Sequence, residues 1–117
     1  MSDRAKWHPM AKLMIGADEK FFGPGVCELL ERIQATGSVR LACAQMGLSY
    51  SKAWHILNVL EKEAGFQVVI RKKGGAGGGE TKLTDEGCAL LKQYGAYAEE
   101  CKAAINAIFE RHFPSND

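Results

Sequence analysis

The run Ser38-Val39-Arg40-Leu41-Ala42-Cys43-Ala44-Gln45-Met46-Gly47-Leu48-Ser49-Tyr50-Ser51-Lys52-Ala53-Trp54 decides the fold. Ser38 carries a hydroxyl that accepts from a free backbone N–H, so a helix starts behind it. Val39, Ala42, Cys43 and Met46 then fall on one helical face, and Gly47 stops the helix. Gly47-Leu48-Ser49 makes a tight connection in which Leu48 is the only apolar plug. A second helix follows from Tyr50 or Ser51 to Ala64, with Ala53, Ile56, Leu57, Leu60 and Ala64 facing inward and Gly65 ending it. A short helix, a three-residue turn with glycine and a second helix form a helix-turn-helix pattern. Ala42, Cys43 and Ala53 supply the small side chains that a steep helix crossing needs.

The flanks complete the architecture. Upstream, Pro24 suits a helix start, and Val26, Leu29, Leu30 and Ile33 give one stripe up to Ala35, with Gly37 as the left-handed cap. Residues 1–9 read as a loose arm. The apolar run Met10–Ile15, the turn-like residues 16–19 and Lys20-Phe21-Phe22 predict a short N-terminal β-hairpin. Downstream, Phe66 to Lys72 is β-branched and strand-like, Lys73 to Glu80 is too glycine-rich to be regular, and Thr81-Lys82-Leu83 is a return strand. Thr84-Asp85-Glu86 opens a last helix that reaches Phe113: a hydroxyl cap followed by two acids at the positive end of the dipole. The expected fold is mostly α with a small β component. It is a winged helix-turn-helix in a single domain over 1–117, with a three-helix core at 24–65, a wing at 66–84 and a long dimerisation helix at 85–113.

The 117 residues carry a net charge of +1 and are 46% apolar, which suits one globular domain. That charge argues against coating nucleic acid through bulk electrostatics and leaves local patches open. No apolar run approaches the length of a membrane span, and no signal-peptide core follows the N-terminal charges. Cys27, Cys43, Cys88 and Cys101 form no C-x-x-C pair, so no metal site is expected, and reduced thiols in a cytoplasm are the default. His8, His55 and His112 lie far apart, and no paired carboxylates or Ser/His/Asp grouping has a usable spacing, so the chain is not expected to be an enzyme. The glycines match neither a P-loop, since Lys82 lies between Thr81 and Leu83, nor G-x-G-x-x-G, which meets Glu80 at its last position.

The chemistry that remains is that of a DNA reader. The second helix of such a pair presents its N-terminal outward residues to the major groove. Here these are Ser49, Tyr50, Ser51, Lys52, Trp54, His55 and Asn58. Trp54 divides evenly between packing beside this helix and touching DNA. The hairpin from Phe66 to Thr84 holds Arg71, Lys72, Lys73 and Lys82 against Glu80 alone, a local +3 in a +1 chain. Those cations can hold phosphates while the glycines let the tip approach the backbone. The competing reading is a winged-helix protein–protein interaction module, which the near-neutral total favours.

In the last helix Leu90, Tyr94, Tyr97, Cys101, Ala104 and Ile108 step by alternating fours and threes, and Leu91, Ala98 and Ile105 widen the stripe. A helix of about 28 residues extends about 40 Å, more than a small domain needs. A homodimer is expected, with Leu90, Tyr94, Tyr97, Cys101, Ala104, Ile105 and Ile108 at its interface. Gly95 offers a place for close helix approach.

Gly47 to Trp54, Gly74-Gly75-Ala76-Gly77-Gly78-Gly79 and Leu83-Thr84-x-x-Gly87 together resemble the winged-helix domain of the molybdate-responsive regulator family ModE. The chain is more distantly similar to LysR-type regulators. The resemblance spans about Leu13 to Phe113. It implies a dimeric transcription regulator on double-stranded DNA, with a recognition helix over Tyr50 to Gly65, a wing over Arg71 to Lys82 and a helix that pairs the subunits. In that family molybdate is bound by domains that follow this region. This chain ends at Asp117, so neither molybdate nor tungstate nor any cofactor is expected to bind within it.

Overall fold

The computed structural model describes residues 7–72 and 79–114. The elements in order are β1 (Ile15–Gly16), β2 (Lys20–Phe22), α1 (Pro24–Thr36), α2 (Val39–Met46), α3 (Tyr50–Ala64), β3 (Val69–Lys72), β4 (Glu80–Leu83) and α4 (Asp85–His112). Strands β1 and β2 pair antiparallel, as do β3 and β4 in a separate sheet. This is a winged helix with an N-terminal hairpin and a long C-terminal helix.

The helix ends follow from their caps. Ser38 accepts from Leu41 N at 3.1 Å, Ser49 from Lys52 N at 3.1 Å and Thr84 from Gly87 N at 2.9 Å. Gly37, Gly47 and Gly65 end α1, α2 and α3 at φ of 72°, 65° and 84°. An L side chain is strained there, so glycine terminates each helix. Leu48 N reaches back to Cys43 O at 3.0 Å, and the Cys43 thiol donates to Ser49 O at 3.8 Å. The three-residue turn is thereby fixed at both ends.

The core gathers Phe22, Leu29, Leu30, Ile33, Val39, Ala42, Cys43, Ala53, Leu57, Leu60, Val68, Val69 and Tyr94. Ala42 and Ala53 are fully buried, as the crossing of α2 and α3 requires. The wing is tied to this core from two sides. In the β3–β4 ladder Thr81 faces Arg71, and its N–H donates outside the ladder to Gly37 O at 2.9 Å. Glu61 Oε2 on α3 accepts from Val68 N at 2.8 Å and Val69 N at 3.3 Å.

That carboxylate marks a difference from the sequence expectation. Pairing begins at Val69 against Leu83 and not at Phe66, where Glu61 takes the N–H groups of Val68 and Val69 at the strand's entry. The N-terminal hairpin is also shorter than expected. Only Ile15–Gly16 pairs with Lys20–Phe22, and the approach to it leads along α4. Tyr94 Oη donates to Leu13 O at 2.9 Å, and the Trp7 ring lies 6.0 Å from that of Phe113. The arm at 1–9 is therefore anchored at Trp7; residues 1–6 lie outside the described residues.

Helix α4 runs for 28 residues, about 42 Å at the usual rise, in a molecule 63 Å along its longest axis. Its first turn explains the Leu83-Thr84-x-x-Gly87 motif. Thr84 Oγ1 caps Gly87 N and donates to Gln67 O at 2.7 Å, while Thr84 N donates to Val68 O at 2.9 Å. A Cβ on Gly87 would stand 2.5 Å from that Val68 oxygen. Only glycine lets the helix start this close to the strand.

Candidate nucleic-acid interface

Helix α3 divides cleanly by burial. Ala53, Leu57 and Leu60 face the core, while Tyr50, Ser51, Lys52, His55 and Asn58 are exposed. Ser49 is exposed as a residue, but its hydroxyl already serves as the cap, so it offers DNA less than its neighbours do. Trp54 is half-buried. Its Nε1 is fully enclosed and is the one buried side-chain donor without a partner among the described residues. The indole meets its neighbours through its faces.

Those faces organise the site. The Arg71 guanidinium lies over the Trp54 ring at 4.1 Å from its centroid, and Arg71 Nη2 donates to Tyr50 Oη at 3.4 Å. Tyr50 and Trp54 are in edge contact at 6.3 Å, one helical turn apart. The Tyr50 ring also lies under the Arg40 guanidinium at 4.2 Å. A continuous series Arg40, Tyr50, Trp54, Arg71 therefore joins α2, α3 and β3 across the N-terminal half of α3. Each guanidinium–ring contact contributes about 0.5–1 kcal/mol at an exposed site.

The structure separates the wing cations that the sequence groups together. Side chains alternate along a strand, so Arg71 shares a face with Val69, Thr81 and Leu83 and turns toward α3. Lys72 and Lys82 lie on the opposite face with Ile70. There they line a 590 Å³ depression together with Asp85 and Glu86 of α4. The local +3 is thus not one patch: two of its lysines share their surroundings with two acids. Lys73 lies outside the described residues, as do the glycines at 74–78.

The α4 stripe is corrected at its start. Tyr94 is buried, its ring 4.9 Å from that of Phe22 and its hydroxyl on Leu13 O. Leu90 packs beside it on the same core. Both belong to the chain's own interior, because the first turns of α4 close the three-helix core. Beyond them Tyr97 and Ile108 are each 47% exposed, Ala104 is exposed, and Cys101 and Ile105 are half-buried. Tyr97, Cys101 and Ala104 line a 460 Å³ groove with Gln93, Ala96 and Glu100.

Sequence reasoning passed over Arg40, Glu61 and the packing of Gly87. Arg40 was legible as an exposed cation two residues after a capping serine, but only the inward face of that helix has a period to read. The thiols are free, and burial pushes the pKa of Cys43 up and, with help from Glu31, that of Cys27, so both resist ionisation. Among the described residues no three His, Cys, Asp or Glu side chains group as metal ligands, and no helix is long and apolar enough to cross a membrane.

Comparison with known proteins agrees with this geometry. The model of the bacterial regulatory helix-turn-helix proteins of the lysR family matches residues 26–88. The molybdenum transport protein ModE of Azotobacter vinelandii is 36% identical over 83 residues, covering 71% of this chain and 31% of that protein. The DNA-binding transcriptional dual regulator ModE of Escherichia coli (strain K12) is 30% identical over 97 residues, 82% of this chain and 37% of that protein. The molybdenum-pterin-binding protein MopB of Rhodobacter capsulatus is 38% identical over 83 residues, 71% of this chain and 30% of that protein. The chain spans about a third of the length of these relatives.

Proposed function

The chain belongs to the lysR family of bacterial regulatory helix-turn-helix proteins and carries a ModE-like winged helix, and from that premise we propose that it is a DNA-binding transcription regulator. It acts in the cytoplasm as a homodimer. The observation that carries this reading is the exposed row Ser51, Lys52, His55 and Asn58 on α3, flanked by the arginine of the wing. Lysine, serine, histidine and asparagine supply donors and acceptors for base edges in the major groove. Tyr50, Trp54 and Arg71 hold the wing at a fixed position beside that row. Lys72, Lys73 and Lys82 add phosphate contacts along the wing.

Two copies paired through Tyr97, Cys101, Ala104, Ile105 and Ile108 of α4 place two recognition helices about a two-fold axis. The operator is then approximately palindromic, with half-sites one helical turn or a multiple apart.

The test is a fluorescence-anisotropy titration with fragments from the gene's own upstream region, at low and at physiological salt. Binding with an affinity that falls steeply as salt rises supports the reading. No binding at low salt overturns it. Equal weakening of a selected site and of mixed-sequence DNA by Lys52→Ala and His55→Ala would remove those two residues from base reading.

A further inference from the structure

Arg40 has no place in the reading so far, yet its position is specific. It stands in the first turn of α2, exposed, with its guanidinium stacked on the face of Tyr50 at 4.2 Å. Arg71 occupies the equivalent position on Trp54 from the wing side. Among the described residues neither arginine has a carboxylate within ion-pair distance; the ion pair there is Arg32 with Glu28, at 2.7 Å. The contrast matters, because Arg32 has its charge offset by Glu28 and also donates to Gln45 at 2.9 Å, while Arg40 has no such counter-charge among the described residues.

Stacking holds a guanidinium by its face and leaves its N–H groups at the edge. Arg71 spends one such donor on Tyr50 Oη. No hydrogen bond from Arg40 is found among the described residues, so its donor edge is both posed and open. Tyr50 itself is the first residue of α3, 36% exposed, at the helix end that enters the groove. A cation on α2 that leans over this residue lies where the walls of the groove pass.

We propose that Arg40 is a DNA phosphate contact, posed by the Tyr50 ring and paired with the Trp54-posed Arg71, so that the two arginines grip the backbone on opposite flanks of the recognition helix. This rests on the DNA-binding reading and adds α2 to the surface that carries it. Because a phosphate contact is blind to sequence, Arg40 contributes equally to every duplex.

The experiment uses the full chain and a labelled mixed-sequence duplex of about two helical turns, with Kd measured over a range of salt. The variants are Arg40→Gln, Arg40→Lys and Tyr50→Leu, with Arg111→Gln at the far end of α4 as the neutralisation control. Thermal melts check that each variant folds. Arg40→Gln is expected to raise Kd about 3- to 10-fold and to lower the slope of log K against log salt by about 0.9. Arg40→Lys and Tyr50→Leu keep the charge, so they keep most of the slope while weakening binding. Arg111→Gln leaves both unchanged. A wild-type Kd and slope in Arg40→Gln overturn the proposal and leave the DNA-binding reading standing. A loss in Arg40→Gln that Arg111→Gln reproduces also overturns it, since bulk charge then suffices. Absence of duplex binding by the wild-type chain overturns both.

Discussion

The Arg71 guanidinium lies 4.1 Å above the Trp54 ring, joining the first strand of the wing to the N-terminal half of α3. A wing is a two-stranded hairpin, which has little stability of its own. Here it has three supports: the Glu61 carboxylate at its entry, the Gly37 carbonyl on its return strand and this stack at its outer half. The stack is the one made by side chains that also face solvent, so it is the one that nucleic acid can reach.

Removing it should loosen the wing without unfolding the core. Arg71→Ala is expected to cost about 0.5–1 kcal/mol in urea unfolding, the size of an exposed cation–π contact. Arg71→Lys should recover only part, because an ammonium lacks the flat face that stacks and the fork that reaches Tyr50 Oη. The emission of Trp54, read in a Trp7→Phe background, should shift in both variants. An unchanged spectrum in Arg71→Ala would mean that the stack is not populated in solution.

Gly87 and Gly95 sit two turns apart on α4 and should respond in opposite ways. A methyl at Gly87 meets Val68 O at 2.5 Å, and backbone on both sides leaves nothing flexible to yield. Gly87→Ala is therefore expected to destabilise by about 1–3 kcal/mol through overpacking. A Cβ on Gly95 would meet nothing within 4 Å, so Gly95→Ala should stabilise by up to about 1 kcal/mol through helix propensity. Thermal denaturation of the two variants beside wild type decides the matter. If Gly95→Ala instead weakens self-association, close helix approach occurs at that glycine.

The buried ionisable groups give stability a definite pH dependence. Burial raises Cys43 above its ordinary value near 9.0, and it raises Cys27 and Tyr94 in the same direction. The folded chain therefore keeps these protons to higher pH than the unfolded chain does. Unfolding releases protons once the pH passes the unfolded values, so stability falls with rising pH from there and is fully present below. The urea midpoint should hold between about pH 7 and 8 and decline above about pH 9. Tyr94→Phe should flatten part of that decline. A midpoint that rises with pH over this range would contradict the burial of these groups.

The helix-turn-helix was legible because its signals are local and agree with one another. Ser38, Gly47, Ser49 and Gly65 mark the ends, and the apolar residues between them keep one period. The wing was legible as a hairpin but not as two faces. Its faces are turned by contacts with Glu61 on the preceding helix and with Gly37, which lies more than forty residues from Thr81. The same limit hid the role of Tyr94. A stripe at a constant period records which residues are apolar and not which neighbour covers them. Phe22 and Leu13 cover Tyr94 from a segment more than seventy residues away. Arg40 escaped because an exposed cation has no period, and its meaning depends on a ring one helix further on.

The corrected stripe sharpens the dimer prediction. With Leu90 and Tyr94 assigned to the core, the proposed pairing surface begins at Tyr97 and continues through Cys101, Ala104 and Ile108. Tyr97→Glu and Ile108→Glu place a charge on side chains that are 47% exposed, so neither should disturb the monomer fold. Across a closed helix pair the same charge would be desolvated beside its symmetry mate. Each variant is expected to sediment as a monomer at micromolar concentration, where the wild-type chain is expected to sediment as a dimer. DNA binding should follow the same division. Affinity for a site with two half-sites should fall at least tenfold, while affinity for one half-site stays the same, because only the tethering of the second recognition helix is lost. Tyr94→Leu should behave differently, lowering the melting temperature through lost packing on Phe22. If Tyr97→Glu and Ile108→Glu remain dimers, pairing uses another surface, and the free face of α4 has a different occupant.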